Sequence, residues 1–342
     1  MTNTTDELQQ TIIDLVDDYR GILAADESEP TIQKRFDAIH VDSTENTRRE
    51  YRSLLLATPD LGNYISGVIL FDETLGQKDD SLTLIPELAW SKKIVPGVKV
   101  DTGIGPLAGA SGDFISYGLD GLRERLEIYK KQGARFAKWR EVYPITTSNP
   151  TGLGLRANAE VLARYAAVCQ SMGIIPIVEP EVLMDGEHDI ERCAQVSEQV
   201  FHAVFHALFL HNVSLEYMIL KPNMILPSKA CRRAEPQEIA QATLKVLRRT
   251  VPVAVPSINF LSGGQAPEEA TANLNAINQF RGNSPWQLSS SYGRALQQPV
   301  LQAWQGKPEN SQLAQQALLK RARLNSLARQ GKYTLSMEKN NV

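Results

Sequence analysis

The chain has 342 residues, 22% of them charged and 42% in the hydrophobic class, which is ordinary for a globular protein and long enough for one α/β barrel. A formal net charge of −3 gives no long-range attraction to nucleic acid or to an anionic membrane. Cys169, Cys193 and Cys231 lack CxxC spacing, so no disulfide framework is expected, and no apolar run approaches the ~20 residues of a membrane-spanning helix.

The N-terminal segment MTNTTDELQQTIIDLVDDYR is acidic and amphipathic. It has neither the basic start and apolar core of a signal peptide nor the Arg-rich character of a transit peptide, and the cytosol is the expected compartment. Leu8, Ile12, Ile13, Leu15 and Val16 recur at helical spacing and predict a helix over 5–20. Eight short apolar or β-rich runs follow, at 21–26, 66–72, 94–101, 136–143, 174–181, 215–223, 253–262 and 286–293. Helical patterns lie between the later runs, at 119–132, 155–172, 187–210, 236–249, 267–280 and 295–305. Pro236 and Pro267 fall where a first-turn proline is tolerated. A last helix and tail span 309–342, with the polar end from Ser336 onward expected to be mobile. Strands alternating with helices, and no linker between halves, predict one domain: an α/β protein with a closed (β/α)8 TIM barrel over about 21–306. An open doubly wound sheet is the rival architecture.

In a closed parallel barrel the chemistry sits at the carboxyl ends of the strands. Most of the polar groups in the eight runs are there: Asp26, Lys99 and Asp101, Lys138 and Arg140, Glu179 and Glu181, Lys221 and Ser262, with Arg294 just past the last run. Residues two apart on a strand share a face, so Lys138 groups with Arg140 and Glu179 with Glu181. Lys221 ends the apolar run LEYMIL and precedes Pro222, which favours extended backbone. It could simply snorkel to water at a strand end. Its company argues otherwise. Clustered lysines lower one another's affinity for protons, which favours a nucleophilic amine, and desolvated carboxyls beside them are expected to rise toward working pH. This is equipment for carbonyl chemistry through an iminium.

Two segments have the character of anion sites. Ser262-Gly263-Gly264 ends the seventh run just before the Pro267 helix, and Ser291-Tyr-Gly-Arg294 ends the eighth. Barrels often hold a phosphate in these two loops. Ser28, Thr31, Lys34 and Arg35, after the first run, could form a second anion site with Lys99. Gly103-Ile-Gly-Pro-Leu-Ala108 formally matches a relaxed dinucleotide fingerprint, but Pro106, Gly109 and Gly112 prevent the helix that motif must open. His202 and His206 stand four apart without an HExxH, among Phe201, Phe205, Leu208 and Phe209, so neither a metal nor another cofactor is expected. No Ser/His/Asp or Cys/His nucleophile signature is present.

Taken in order, GILAADES (21–28), GVILFDETL (67–75), FAKWR (136–140), GIIPIVEPE (173–181), ILKPN (219–223), FLSGGQ (260–265), LNAIN (274–278), SYGRAL (291–296) and GKYT (331–334) resemble class I fructose-1,6-bisphosphate aldolase, the Schiff-base, metal-independent type. The resemblance implies cleavage of fructose 1,6-bisphosphate to dihydroxyacetone phosphate and glyceraldehyde 3-phosphate in glycolysis and gluconeogenesis, by a cytoplasmic homo-oligomer, a tetramer. Sugar phosphates would be its partners. It implies that Lys221 forms the Schiff base, that Glu179 moves protons during carbinolamine formation, and that Asp26 takes the C4 hydroxyl proton. Glu181, Lys138 and Arg140 would position and tune. Ser262, Gly263 and Arg294 would hold the phosphate of the dihydroxyacetone half, and Lys99, Ser28, Thr31 and Arg35 the other. Animal members end in a tyrosine that assists enamine protonation, whereas this chain ends MEKNNV and its Tyr333 belongs to GKYT. Glu29-Pro30 also replaces the small Thr-Gly expected after ADES. Other Schiff-base lyases or transferases such as transaldolase, a non-catalytic scaffold and a metal-dependent aldolase are the competing readings.

Overall fold

The computed structural model describes residues 4–339. Ten strands are formed among the described residues: β1 Gly21–Ala25, β2 Ile65–Leu70, β3 Val95–Lys99, β4 Ile104–Pro106, β5 Phe114–Ser116, β6 Phe136–Tyr143, β7 Ile175–Val182, β8 Ile219–Leu220, β9 Ser257–Phe260 and β10 Gln287–Tyr292. Eight of them close a parallel barrel in the order β1-β10-β9-β8-β7-β6-β3-β2, while β4 and β5 form a separate antiparallel hairpin. The helices are α1 Thr4–Leu15, α2 Glu29–Asp37, α3 Glu45–Leu56, α4 Asp72–Leu75, α5 Ile85–Ser91 and α6 Leu122–Lys131, then α7 Gly152–Ser171, α8 Ile190–Leu210, α9 Pro236–Thr250, α10 Pro267–Phe280, α11 Arg294–Trp304 and α12 Ser311–Arg329. Closure settles the architecture against the open sheet. Among these helices none is long and apolar enough to cross a membrane.

Two apolar layers hold the barrel. The larger lies outside the strands, where Val98, Trp139, Val178 and Leu220 meet helix residues such as Leu126, Leu162 and Phe201. The smaller fills the barrel interior, where Ile22, Ile69, Val95, Phe136, Ile175 and Ile219 pack against Leu8 and Leu15 of α1. Gly97 and Gly67 make room for the Phe136 ring: a Cβ at Gly97 would stand 2.3 Å from it, and one at Gly67 3.2 Å. The interior of the barrel below the strand ends is therefore apolar and plugged by α1.

Several predicted bounds shift for local reasons. The first helix stops at Leu15 rather than 20, because the Asp17 carboxylate accepts from the Tyr19 and Arg20 backbone N–H groups and turns the chain. The sixth barrel strand, expected over 215–223, is only Ile219–Leu220, since Leu215–Tyr217 forms a 3-10 turn. Its ladder still reaches the lysine, with Lys221 N–H donating to Val178 O at 2.8 Å. Pro222 offers no donor to extend it. The seventh strand begins at Ser257, not 253, after a turn in which Val255 N–H donates to Pro252 O at 3.2 Å. The tail expected to be mobile from Ser336 is tied down as far as Lys339: Leu335–Lys339 is a 3-10 turn, and Glu338 pairs with Arg321 at 2.6 Å. Asn340–Val342 lie outside the described residues.

Candidate active site

The strand register assembles the rim. Lys99 on β3 stands opposite Lys138 on β6, Arg140 opposite Glu179 on β7, and Val142 opposite Glu181. Each of the residues expected to act on or hold the substrate lines one cavity of about 880 Å³ at the carboxyl ends of the barrel strands. Asp26, Lys138, Glu179 and Lys221 form its floor, directly above the apolar interior. Lys138 Nζ lies 2.8 Å from Asp26 Oδ2 and 3.1 Å from Glu179 Oε2. Lys221 Nζ lies 3.3 Å from Glu179 Oε1 and is 3% exposed as a residue. Arg140 pairs with Glu181.

The electrostatics differ from the expectation of mutually depressed lysines and raised carboxyls. Burial favours the protonated acid at Asp26, but Lys138, Lys221 and Lys99 outweigh it and hold the carboxyl well below the usual range. Glu179 is likewise lowered, because Lys138, Lys221 and Arg140 overcome its burial. Burial alone would lower the Lys138 ammonium, yet the Asp26 and Glu179 carboxylates beside it carry it above the ordinary lysine range. The reason is placement. Carboxylates stand between the lysines, so each buried charge faces an opposite one.

The two expected anion sites lie on the walls. Ser262 is buried, and Gly263 and Gly264 adopt φ +51° and +84°, a left-handed turn that turns the backbone toward the cavity. A Cβ on Gly264 would stand 3.2 Å from both an Arg294 guanidinium nitrogen and Lys229 Cε, so two cations converge on this turn. Lys229 was not anticipated. It sits in the β8–α9 loop, and the place of that loop at the carboxyl end of a strand was the signal available. On the adjoining wall, after β1, which pairs with β10, Ser28 precedes α2, its Oγ lies 3.2 Å from Thr31 Oγ1, and Pro30 occupies the first turn of the helix. Arg35 pairs with Glu27, which also faces Arg52 at 3.2 Å. Lys99 Nζ is 2.6 Å from Asp101 Oδ1.

Beyond these, Gly103-Ile104 enters the hairpin strand β4 rather than a helix. His202 and His206 are both exposed on α8. Tyr333 is buried away from the cavity, with its hydroxyl 2.9 Å from Glu338 Oε1.

Glu141, on β6 beside Arg140, was also missed. It is fully buried and receives the Trp139 indole N–H at 2.9 Å and the Ser116 backbone N–H at 3.0 Å. Burial pushes its carboxyl up to about 7 from an ordinary 4.5, against those two hydrogen bonds. The folded state thus keeps a proton that the unfolded chain releases, so this contribution to stability is full below about 4.5 and is lost as pH rises through about 7. Asp26 and Glu179 have the opposite sign. Their contribution is present above ordinary carboxylate values and is lost as pH falls through their depressed ones. Denaturant unfolding between those two Glu141 values should show stability falling with pH by up to about 1.4 kcal/mol per unit on account of this group. Glu141→Gln should remove that slope, and an unchanged slope would contradict the reading of this carboxyl.

The family model for class I fructose-bisphosphate aldolase, described as glycolytic, matches residues 7–342. The chain is 53% identical over 315 residues to cytosolic fructose-bisphosphate aldolase 4 of Arabidopsis thaliana, covering 92% of this chain and 80% of that protein. It is 52% identical to fructose-bisphosphate aldolase 2 of Caenorhabditis elegans, covering 96% and 90%, and 51% identical to fructose-bisphosphate aldolase A of Salmo salar, covering 96% and 92%. Among solved structures, the fructose-bisphosphate aldolase of Plasmodium falciparum, determined with TRAP and a small-molecule inhibitor, superposes with a TM-score of 0.95. It is 48% identical and covers 98% of this chain and 97% of its own.

Proposed function

The chain belongs to the class I fructose-bisphosphate aldolases, and we propose that it cleaves fructose 1,6-bisphosphate through a Schiff base on Lys221. The observation that carries this reading is the buried Lys221 amine 3.3 Å from Glu179, which is shared at 3.1 Å with Lys138. Glu179, held ionised, takes a proton from the Lys221 ammonium and frees the amine to attack the C2 ketone of the open-chain sugar. The same carboxyl returns a proton to the C2 oxygen as the carbinolamine loses water, which leaves a protonated imine. Asp26, also held ionised, takes the C4 hydroxyl proton. The C3–C4 electron pair then flows into the iminium, glyceraldehyde 3-phosphate departs, and an enamine remains on Lys221. Protonation at C3 and hydrolysis release dihydroxyacetone phosphate and restore the amine. Lys138, fixed between Asp26 and Glu179, keeps both carboxylates ionised, and the Arg140–Glu181 pair holds the neighbouring wall.

Ser262, Gly263 and Arg294 hold the phosphate on the dihydroxyacetone half, helped by Lys229. Lys99, Ser28, Thr31 and Arg35 hold the other. Family membership supports the same reaction run in reverse in gluconeogenesis, and a cytosolic homotetramer as the working form. Because the electron sink is an iminium, prolonged dialysis against EDTA should leave turnover unchanged. Loss of activity restored by a divalent metal would favour a metal-dependent aldol mechanism instead.

A further inference from the structure

The hairpin of β4 and β5 stands over one side of the cavity, where Gly103, Ile104 and Ser116 contribute to the lining. Its base continues directly from the residues that hold Lys99. The Lys99 ammonium donates to the Asp101 carbonyl at 2.6 Å besides its pairing with that carboxylate. The next residue, Thr102, donates its N–H to Tyr117 O at 2.9 Å. Tyr117 follows Ser116, and Ser116 fastens the hairpin to β6. Its N–H donates to Glu141 Oε2 at 3.0 Å, and its Oγ–H to Arg140 O at 2.6 Å. The second Glu141 oxygen accepts the Trp139 indole N–H at 2.9 Å. A carboxylate accepts from both donors at once, whereas an amide of the same size turns an NH2 group toward one of them. Glu141 is fully buried and does not line the cavity.

We infer that Glu141 is a positioning residue: it pins the hairpin and, through Ser116, Tyr117, Thr102 and Asp101, fixes the Lys99 ammonium at the remote phosphate, so that selectivity for a sugar bisphosphate over a monophosphate depends on it. The inference rests on the reading of Lys99 as a ligand of the phosphate far from the Schiff base. Asp101 holds the Lys99 ammonium twice, by the hydrogen bond to its carbonyl and by the ion pair to its carboxylate, so the place of this cation follows the place of Asp101. A shift of the hairpin therefore changes affinity at one end of the substrate and leaves the Lys221 end untouched.

The test compares kcat and KM for fructose 1,6-bisphosphate and fructose 1-phosphate, at a pH above the value of about 7 for Glu141, in wild type, Glu141→Gln, Lys99→Met and the double variant. Glu141→Gln should raise KM for the bisphosphate about tenfold, the scale of a donor left unpaired, with kcat and the monophosphate constants unchanged. Lys99→Met should lower the bisphosphate-to-monophosphate ratio of kcat/KM, and Glu141→Gln should add nothing further in that background. If Lys99→Met spares the ratio, the reading of Lys99 fails and the inference falls with it. If Lys99→Met lowers the ratio while Glu141→Gln slows both substrates alike, or adds its full factor in the double variant, only the role given to Glu141 is overturned. Should Glu141→Gln not fold, Ser116→Ala cuts the other tie to β6 and carries the same expected rise in KM for the bisphosphate alone.

Discussion

Replacing Lys221 by methionine is expected to lower turnover of fructose 1,6-bisphosphate by about 10⁴-fold or more, the scale on which loss of a covalent nucleophile acts. The barrel should remain folded. Methionine has nearly the volume of lysine, and Glu179 keeps Lys138 at 3.1 Å, so no buried carboxylate is left without a cation. The expected change in stability is below about 1.5 kcal/mol, as for other volume-conserving swaps at buried sites. A coupled assay of dihydroxyacetone phosphate formation together with denaturant unfolding checks both parts. Turnover within tenfold of wild type in a folded variant would remove Lys221 from the chemistry.

Asp26→Asn separates carbon–carbon cleavage from the steps before it. The amide cannot accept the C4 hydroxyl proton, so cleavage should fall by about 10²–10⁴-fold, the usual range for loss of a general base. Lys221 and Glu179 lie 3.3 Å apart without help from Asp26, so carbinolamine formation and loss of water should proceed. The variant should therefore accumulate a covalent adduct with the intact sugar bisphosphate, visible by mass spectrometry after reduction. An Asp26→Asn enzyme that is slow and forms no adduct would place Asp26 in Schiff-base formation instead. Removing this carboxylate also takes one partner from Lys138, which keeps Glu179.

Much of this site could be read from the sequence because barrel topology converts strand ends into neighbours. Lys138 and Glu179 are 41 positions apart, yet adjacent parallel strands with the register Arg140↔Glu179 bring them together. What strand position could not convey was the order of charges around the ring. Lysines close in space imply mutual depression only if nothing stands between them. Asp26 and Glu179 do stand between them, and that reverses the direction at Lys138. Lys229 was hidden because it belongs to a loop with no periodicity. Glu141 was hidden because a carboxylate alternating with Lys138 and Arg140 on a strand faces away from the cavity. The hairpin that gives it meaning comes from two three-residue strands too short to register as a pattern. Helix α3 was missed for a related reason: its buried face includes Arg52, 1% exposed and paired with Glu27, where periodicity looks for an apolar residue.

The pairing of a buried amine with an ionised proton acceptor carries the account, and it is tested most directly by chemical trapping. Wild-type protein incubated with dihydroxyacetone phosphate and borohydride should lose activity irreversibly. Peptide mapping should then place one reduced substrate adduct on Lys221, while Lys221→Met should take up none. An adduct on Lys138, or no adduct in an enzyme that keeps its activity, would contradict the mechanism.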